Sequence, residues 1–116
     1  RSLCDWSSDV CSSDLAKNLL AEGMIKLGFI KEVAEINRYY YHSVSHYLGL
    51  DVHDVGTYQK PLEAGVILTV EPGIYVEEEQ IGIRIEDNIL VTEAGFINLS
   101  QDIPKELTEI EMLMKK

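Results

Sequence analysis

The sequence predicts an α+β domain built on a mainly antiparallel sheet. Two segments with helical spacing of apolar residues, near 16–27 and 104–113, enclose a middle region rich in β-branched and aromatic residues. Pro-Gly and Ala-Gly pairs interrupt this middle region and favour turns between short strands. Elements in the order helix, strands, helix are typical of α+β architecture, and 116 residues of 46% hydrophobic content are enough for one core.

The first helix is predicted over residues 16–27, "AKNLLAEGMIKL". Leu20, Met24 and Leu27 recur at i, i+4 and i+7 and form one apolar stripe. Gly28 follows, where a left-handed cap can end the helix. This pattern is typical of a short amphipathic helix.

A weaker helical turn is predicted next, through Val33 and Ile36, and a strand-like aromatic run follows at residues 39–41. The segment "GVILTVEPGIYV", residues 65–76, is rich in strand formers and contains Pro72-Gly73. Because proline interrupts a strand ladder, this segment predicts two strand pieces or one bent strand.

Residues 82–100 predict one strand, a turn at Glu93-Ala94-Gly95 and a returning strand, which together make a hairpin. The chain then closes with a predicted helix. Asp102 before Pro104 is the expected capping signal, and the helical stripe consists of Leu107, Ile110 and Leu113.

The first fifteen residues are expected to be foreign to the domain. Residues 5–15, "DWSSDVCSSDL", match the translation of a common sequencing-library adapter and show neither helical nor strand periodicity. We interpret residues 1–15 as a non-native, disordered leader joined to a truncated gene, the alternative being a genuine disordered leader. Cys4 and Cys11 both lie in it, so they do not indicate a disulfide or a redox compartment.

The charge and the hydropathy pattern exclude two classes of partner. The chain carries 10 basic and 20 acidic residues, a net charge of -10, whereas binding to a phosphate backbone depends on Lys and Arg. We therefore expect no nucleic-acid partner. No apolar run approaches the roughly 20 residues that span a bilayer, and a cytoplasmic protein without a membrane partner is expected.

The three histidines lie together in "HSVSHYLGLDVHD", residues 42–54. His42 and His46 are four residues apart, which places them on one face of either a helix or a strand. For such a pair, bonding to backbone groups is the ordinary alternative to metal binding. His53 lies between two aspartates, Asp51 and Asp54, where a carboxylate can orient its imidazole or where all three can simply form a polar turn.

Two strand-borne glutamates strengthen the case for a metal site. Glu71 ends a buried strand, and an ionised carboxylate there needs a cation, a metal or a hydrogen-bond network. Strand alternation places Arg84, Glu86 and Asn88 on one face, although a solvated polar face is an equally good explanation for that set alone. One imidazole with two carboxylates suits Mn²⁺, Fe²⁺, Co²⁺ or Zn²⁺, but three ligands are too few for a dinuclear centre.

Three motifs, "SHYLGLDVHDVG", "LEAGVILTVEPGIYV" and "IGIRIEDNILVTEAG", follow one another in this chain. In order and spacing they resemble the C-terminal half of the catalytic domain of the pita-bread metallopeptidases, most closely the Xaa-Pro aminopeptidase (aminopeptidase P) branch. The resemblance covers residues 16–116 and is less specific for the branch, since prolidases share much of the pattern. It implies a curved, mainly antiparallel sheet with flanking helices.

The resemblance also implies roles for individual residues. His46, Glu71 and Glu86 correspond to metal ligands, with Glu86 bridging two ions, and Glu71 serves in addition as a general acid/base. His53 and, more weakly, His42 are expected to line the substrate pocket.

Arg84 and Tyr75 are implied to lie behind the ligands, where they position a metal-binding aspartate and pass protons. The implied cofactor is a pair of divalent ions, Mn²⁺ first and Co²⁺, Fe²⁺ or Zn²⁺ as alternatives. The implied reaction is hydrolysis of the bond between an N-terminal residue and a following proline, by a homo-oligomeric parent.

The family's two aspartate ligands correspond to positions upstream of Ala16. We therefore expect the isolated chain to be inactive and to bind metal weakly or not at all. Two alternatives stay open at this point: a fragment of a prolidase, and a non-catalytic module that binds a peptide or a metal.

Overall fold

Two α-helices and five short strands form the described part of the chain, which in this computed structural model comprises residues 9–58 and 60–115, with the backbone alone for residues 9–13. In chain order the elements are α1 (Asp9–Leu27), a 3₁₀ helix (Val33–Arg38), β1 (Ile67–Val70), β2 (Gly73–Val76), a 3₁₀ turn (Glu77–Glu79), β3 (Ile81–Arg84), β4 (Asp87–Thr92), β5 (Gly95–Asn98) and α2 (Leu107–Met114). None of the described helices is both long and apolar enough to cross a membrane.

Four of the strands form one long hairpin with a break in the middle of each arm. β1 pairs with β4 and ends on the pair Val70 and Asp87, whereas β2 pairs with β3 and begins on the pair Gly73 and Arg84. The same antiparallel register therefore continues across the two residues that interrupt each arm. Pro72 has no N–H to donate, so the regular ladder stops there.

The half of this hairpin that β1 and β4 form has a further neighbour on each side. β4 also pairs with β5, which gives a three-stranded sheet of order β1-β4-β5. The turn between them ends at Gly95, whose φ of 147° lies in the region that favours glycine.

An irregular segment, residues 44–48, runs antiparallel along the other edge of β1. The amide of Thr69 donates to the carbonyl of His46 at 2.9 Å, and that of Glu71 donates to Val44 at 2.8 Å. Tyr47 forms an isolated bridge with Leu68. The histidine segment is thus held by hydrogen bonds to β1 and not by a regular element of its own.

The core lies where α1 and the first 3₁₀ helix meet the half of the hairpin that β2 and β3 form. Its members are mostly aliphatic and tyrosine side chains from α1, from residues 30–44 around the first 3₁₀ helix, and from β2. The buried set is Ala21, Met24, Ile30, Ile36, Tyr39, Tyr40, Val44 and Val76. This packing fixes the start of the histidine segment relative to β2.

The structure confirms several predicted elements. The structure contains five of them: the helix over 16–27, the turn through Val33 and Ile36, the strand broken at Pro72-Gly73, the hairpin at 93–95 and the last helix.

Helix α1 begins earlier than predicted, at Asp9, so residues 9–15 are helical where we expected disorder. Extending an existing helix requires no new nucleation step, so the extension has only a small free-energy cost. Residues 1–8 lie outside the described part, and the foreign origin of residues 1–15 stays a prediction.

Three details of the sequence prediction are wrong. The aromatic run at 39–41 forms no strand, because Tyr39 and Tyr40 are buried against the helices and tertiary burial outweighs strand propensity. The single strand expected from residue 82 is two strands, β3 and β4, which pair with different partners. Asp102 does not cap α2, whose N-cap is Glu106 without a side-chain hydrogen bond.

Candidate metal centre

The break in the hairpin brings two carboxylates face to face. Continued by one residue beyond Val70 and Asp87, the β1/β4 register places Glu71 opposite Glu86. Residues opposite each other in an antiparallel pair point to the same face, so both carboxylates leave the sheet on one side. Since neither residue lies within a regular strand, their side chains are free to converge.

His46 joins this pair from the neighbouring segment. Its Nδ1 lies 3.0 Å from the carbonyl oxygen of Tyr47, and its Nε2 lies 3.4 Å from Oε1 of Glu71. When Nδ1 carries the proton and donates to that carbonyl, Nε2 presents its lone pair toward the glutamate. A backbone partner on one ring nitrogen is the usual way in which the metal-binding tautomer of histidine is set.

The three side chains fit a divalent cation. One ligand atom from each of His46, Glu71 and Glu86 lies within 4.8 Å of the others, and no second such group occurs within the described ranges. Ligand bonds of about 2.0–2.2 Å allow ligand atoms about 4.4 Å apart, so a small rotation of the exposed Glu86 side chain is sufficient. One imidazole and two carboxylates are also the donor set that Mn²⁺, Fe²⁺ and Zn²⁺ accept.

The burial of the ligands is uneven. The side chains of His46 and Glu71 are only 13% and 12% exposed, whereas Glu86 lies at the surface. Nε of Arg84 lies 3.7 Å from Oε2 of Glu71 and supplies one positive charge to a buried carboxylate that would otherwise be costly. With two carboxylates and one half-exposed guanidinium, the site keeps a negative potential that attracts a cation.

Beside the ligands, His42 and Tyr75 form a second hydrogen-bonded pair. Nδ1 of His42 lies 2.8 Å from the carbonyl of Ser43, and its Nε2 lies 3.0 Å from the hydroxyl of Tyr75. If Nδ1 donates to the carbonyl, the tyrosine hydroxyl must donate to Nε2. A Cβ on Gly73 would come within 2.8 Å of that hydroxyl, so any larger residue at position 73 would displace the Tyr75 ring.

His53 reaches the site from the loop that follows. Its ring centroid is 4.4 Å from that of His46, in an edge-to-face arrangement, and its side chain is exposed to solvent. The sequence left two possibilities for this segment, a ring oriented by a flanking carboxylate or a polar turn. The two oxygens of Asp54 accept the backbone N–H groups of Leu50 and Val55, each at 2.8 Å, so Asp54 orders the turn, as the second possibility predicts.

The predicted site residues therefore converge in two adjoining groups. His46, Glu71 and Glu86 meet with Arg84 and His53 beside them, while His42 pairs with Tyr75. His46 approaches Glu71 and His42 approaches Tyr75, and strand alternation places these two partners, four residues apart, on one face, as expected for the histidine pair. The catalytic and ligand roles of these residues stay predictions.

Sequence reasoning missed Thr69, which lies on the same face between His46 and Glu71. Its hydroxyl accepts the amide N–H of His46 at 3.1 Å, and the side chain is fully buried. A signal was present, because Thr69 is a polar residue two positions before Glu71 in an otherwise apolar strand.

A comparison with protein families decides the ancestry of this fold. Residues 12–93 match the model of metallopeptidase family M24. The chain belongs to this family. The α+β architecture is therefore part of a pita-bread fold, as predicted, since a candidate aminopeptidase P from Bacillus anthracis superposes with a TM-score of 0.87 at 57% identity.

Other M24 members give the same result. A Xaa-Pro aminopeptidase from Haemophilus influenzae is 41% identical over 89% of this chain. A zinc-substituted aminopeptidase P from Escherichia coli in complex with product is 39% identical over 89% of the chain, with a TM-score of 0.77. The chain spans only about a quarter of the length of these relatives, 28% of the first and 28% of the second. The prolidase alternative is not favoured, because these relatives are named for Xaa-Pro aminopeptidase activity.

Proposed function

We propose that this chain supplies one wall of the active site of an Xaa-Pro aminopeptidase, a hydrolase that cleaves the bond between an N-terminal residue and a following proline. The observation that carries the proposal is the convergence of His46, Glu71 and Glu86 at the break of the hairpin. Metallopeptidase family M24 and the names of the relatives support the reaction type. A cytoplasmic location and a homo-oligomeric parent belong to the proposal as well.

His46, Glu71 and Glu86 would hold divalent ions, with Mn²⁺ as the first candidate and Co²⁺, Fe²⁺ or Zn²⁺ as alternatives. Bound ions of this kind lower the pKa of water and stabilise negative charge that develops on a substrate carbonyl oxygen. Glu86, the more exposed carboxylate, would serve as a ligand to both ions.

The other side chains orient the substrate and move protons. Glu71 is buried, bonded and next to the ligands, so it would accept a proton from the attacking water and return it to the leaving nitrogen. Arg84 holds one oxygen of Glu71 in place. His53 on the open side of His46, and the Tyr75–His42 pair behind it, would bind the polar groups of the peptide around the scissile bond.

The described ligands do not complete a two-ion site. Two ions about 3.5–4 Å apart need bridging carboxylates and more ligands than one histidine and two glutamates provide. We therefore propose that the 116-residue chain alone hydrolyses Xaa-Pro peptides poorly or not at all, and that further carboxylates from outside the described residues complete the centre.

Paramagnetic NMR tests the metal centre in the chain as it exists. Substoichiometric Mn²⁺ should broaden the signals of His46, Glu71 and Glu86 before any others. The Glu71→Gln variant should lose this effect, whereas Glu63→Gln, an exposed glutamate outside the site, should keep it. Broadening that spreads evenly over the acidic surface would contradict the assignment.

An activity assay tests the reaction. A tripeptide with proline at its second position and a dipeptide with C-terminal proline are offered to the chain with Mn²⁺, and to a longer protein that carries residues 16–116. We expect hydrolysis of the tripeptide by the longer protein only. Turnover by the chain alone at a comparable rate would contradict the incomplete site, and preference for the dipeptide would favour a prolidase.

A further inference from the structure

We propose that Thr69 is a positioning residue that sets the distance between the His46 and Glu71 ligands. The inference rests on the proposed function, since it assigns a role within that same metal centre. Thr69 has a side chain that is fully buried, although its hydroxyl is the one polar group that β1 itself, Ile67–Val70, contributes there. A buried hydroxyl needs hydrogen-bond partners, and those of Thr69 are the backbone amide of His46 and the carboxylate of Glu71.

The contacts of Thr69 run in both directions. Its hydroxyl oxygen accepts the amide N–H of His46 at 3.1 Å, and the hydroxyl donates toward Oε1 of Glu71 at the long distance of 3.5 Å. A hydroxyl has one hydrogen and two lone pairs, so both roles are compatible. The same glutamate oxygen lies 3.4 Å from Nε2 of His46, so Thr69 contacts the backbone of one ligand residue and the side chain of the other, and these two residues also contact each other.

The backbone makes this arrangement specific to residue 69. The amide of Thr69 also donates to the carbonyl of His46 at 2.9 Å, so both backbone groups of His46 are bound by this one residue. The histidine can therefore neither slide along β1 nor tilt away from it while the hydroxyl is present. Partners of this kind, which touch ligands and not the metal, typically change metal affinity 10- to 100-fold when they are removed.

A purely structural role is the competing explanation. Threonine is a good strand former, and a β-branched side chain packs well at a buried strand position. Valine has nearly the same shape and would satisfy a packing role equally well. Serine would keep the hydroxyl and give up the methyl group, so the two variants separate positioning from packing.

Amide hydrogen exchange of the metal-free chain tests the contact without any metal. In Thr69→Val the N–H of His46 loses its acceptor, and we expect its exchange to rise about tenfold or more, while Thr69→Ser stays within about twofold of the parent. The amide of residue 69 donates to a backbone carbonyl in all three proteins and is the internal control. If Thr69→Val does not fold, Thr69→Ala carries the same comparison.

Mn²⁺ titration followed by NMR broadening then tests the function of the contact. Thr69→Val should bind Mn²⁺ about tenfold or more weakly than the parent, and Thr69→Ser should bind nearly as well. Equal losses in both variants, or unchanged His46 exchange in Thr69→Val, would overturn the positioning role. If the parent chain itself shows no broadening at His46 and Glu71, its three ligands do not hold Mn²⁺ without the further carboxylates, and the exchange result alone decides whether Thr69 fixes His46.

Discussion

The most informative substitution at this site is Glu86→Gln. It separates the destabilising repulsion between two carboxylates in the metal-free chain from the stabilisation that a bound metal provides. Without a cation, the carboxylates of Glu71 and Glu86 repel each other across the break of the hairpin. Their ligand oxygens lie at most 4.8 Å apart. At that distance Coulomb's law gives about 3.5 kcal/mol at an effective dielectric constant of 20 and about 0.9 kcal/mol at that of water.

The lower end of this range is expected to apply. Glu86 is exposed to solvent, and the guanidinium of Arg84 partly neutralises Glu71. We therefore predict that Glu86→Gln raises the free energy of unfolding of the metal-free chain by about 1 kcal/mol. With Mn²⁺ the sign reverses, because the parent is stabilised by binding while the variant has lost a charged ligand.

Urea denaturation followed by circular dichroism, with a chelator and then with Mn²⁺, measures both effects. Glu93→Gln is the matched control, since it removes the same charge from an exposed glutamate in the β4–β5 turn. Repeating the measurement at two protein concentrations separates folding from association. If metal-free Glu86→Gln is no more stable than Glu93→Gln, the two carboxylates do not face each other in solution and the geometric argument for the site is refuted.

Three further substitutions probe the fold around the site. Ile36→Ala should lower the free energy of unfolding, measured by urea denaturation, by about 2–4 kcal/mol, because it leaves a cavity at a core position that is 2% exposed. Val33→Ala is the control in the same 3₁₀ helix; Val33 is 43% exposed, so the free energy of unfolding should change by less than about 0.5 kcal/mol. Gly73→Ala should cost about 1–3 kcal/mol and displace the Tyr75 ring, a shift that NMR of the ring protons would detect; an unmoved ring would contradict the close contact. Ile83 is an apolar sheet residue that is 61% exposed, and because uncovered apolar surface promotes association, we expect the chain to self-associate and Ile83→Lys to weaken that association in analytical ultracentrifugation; an unchanged sedimentation profile would contradict the role of this surface.

Much of the carboxylate half of the site could be predicted from the sequence. A glutamate at the end of "ILTV" signals a buried charge that needs partners, and strand alternation correctly groups Arg84 with Glu86 on one face. Alternation does not predict which strand pairs with which. That Glu71 and Glu86 stand opposite each other depends on a register that continues across an interruption in both arms, and the interruption itself was predicted in only one of them.

The histidines show the limit of local spacing more clearly. A separation of four residues is compatible with one face in either a helix or a strand, but it does not say which residue each histidine meets, and here His46 meets Glu71 while His42 meets Tyr75. The difference arises because hydrogen bonds to β1 hold residues 44–48, whereas His42 lies before that stretch and beside β2. Pairing between residues more than twenty positions apart therefore determines which residue each histidine meets. Thr69 forms two of the hydrogen bonds that hold His46, so a single mutation at Thr69 should alter the position of His46 more than one elsewhere in β1.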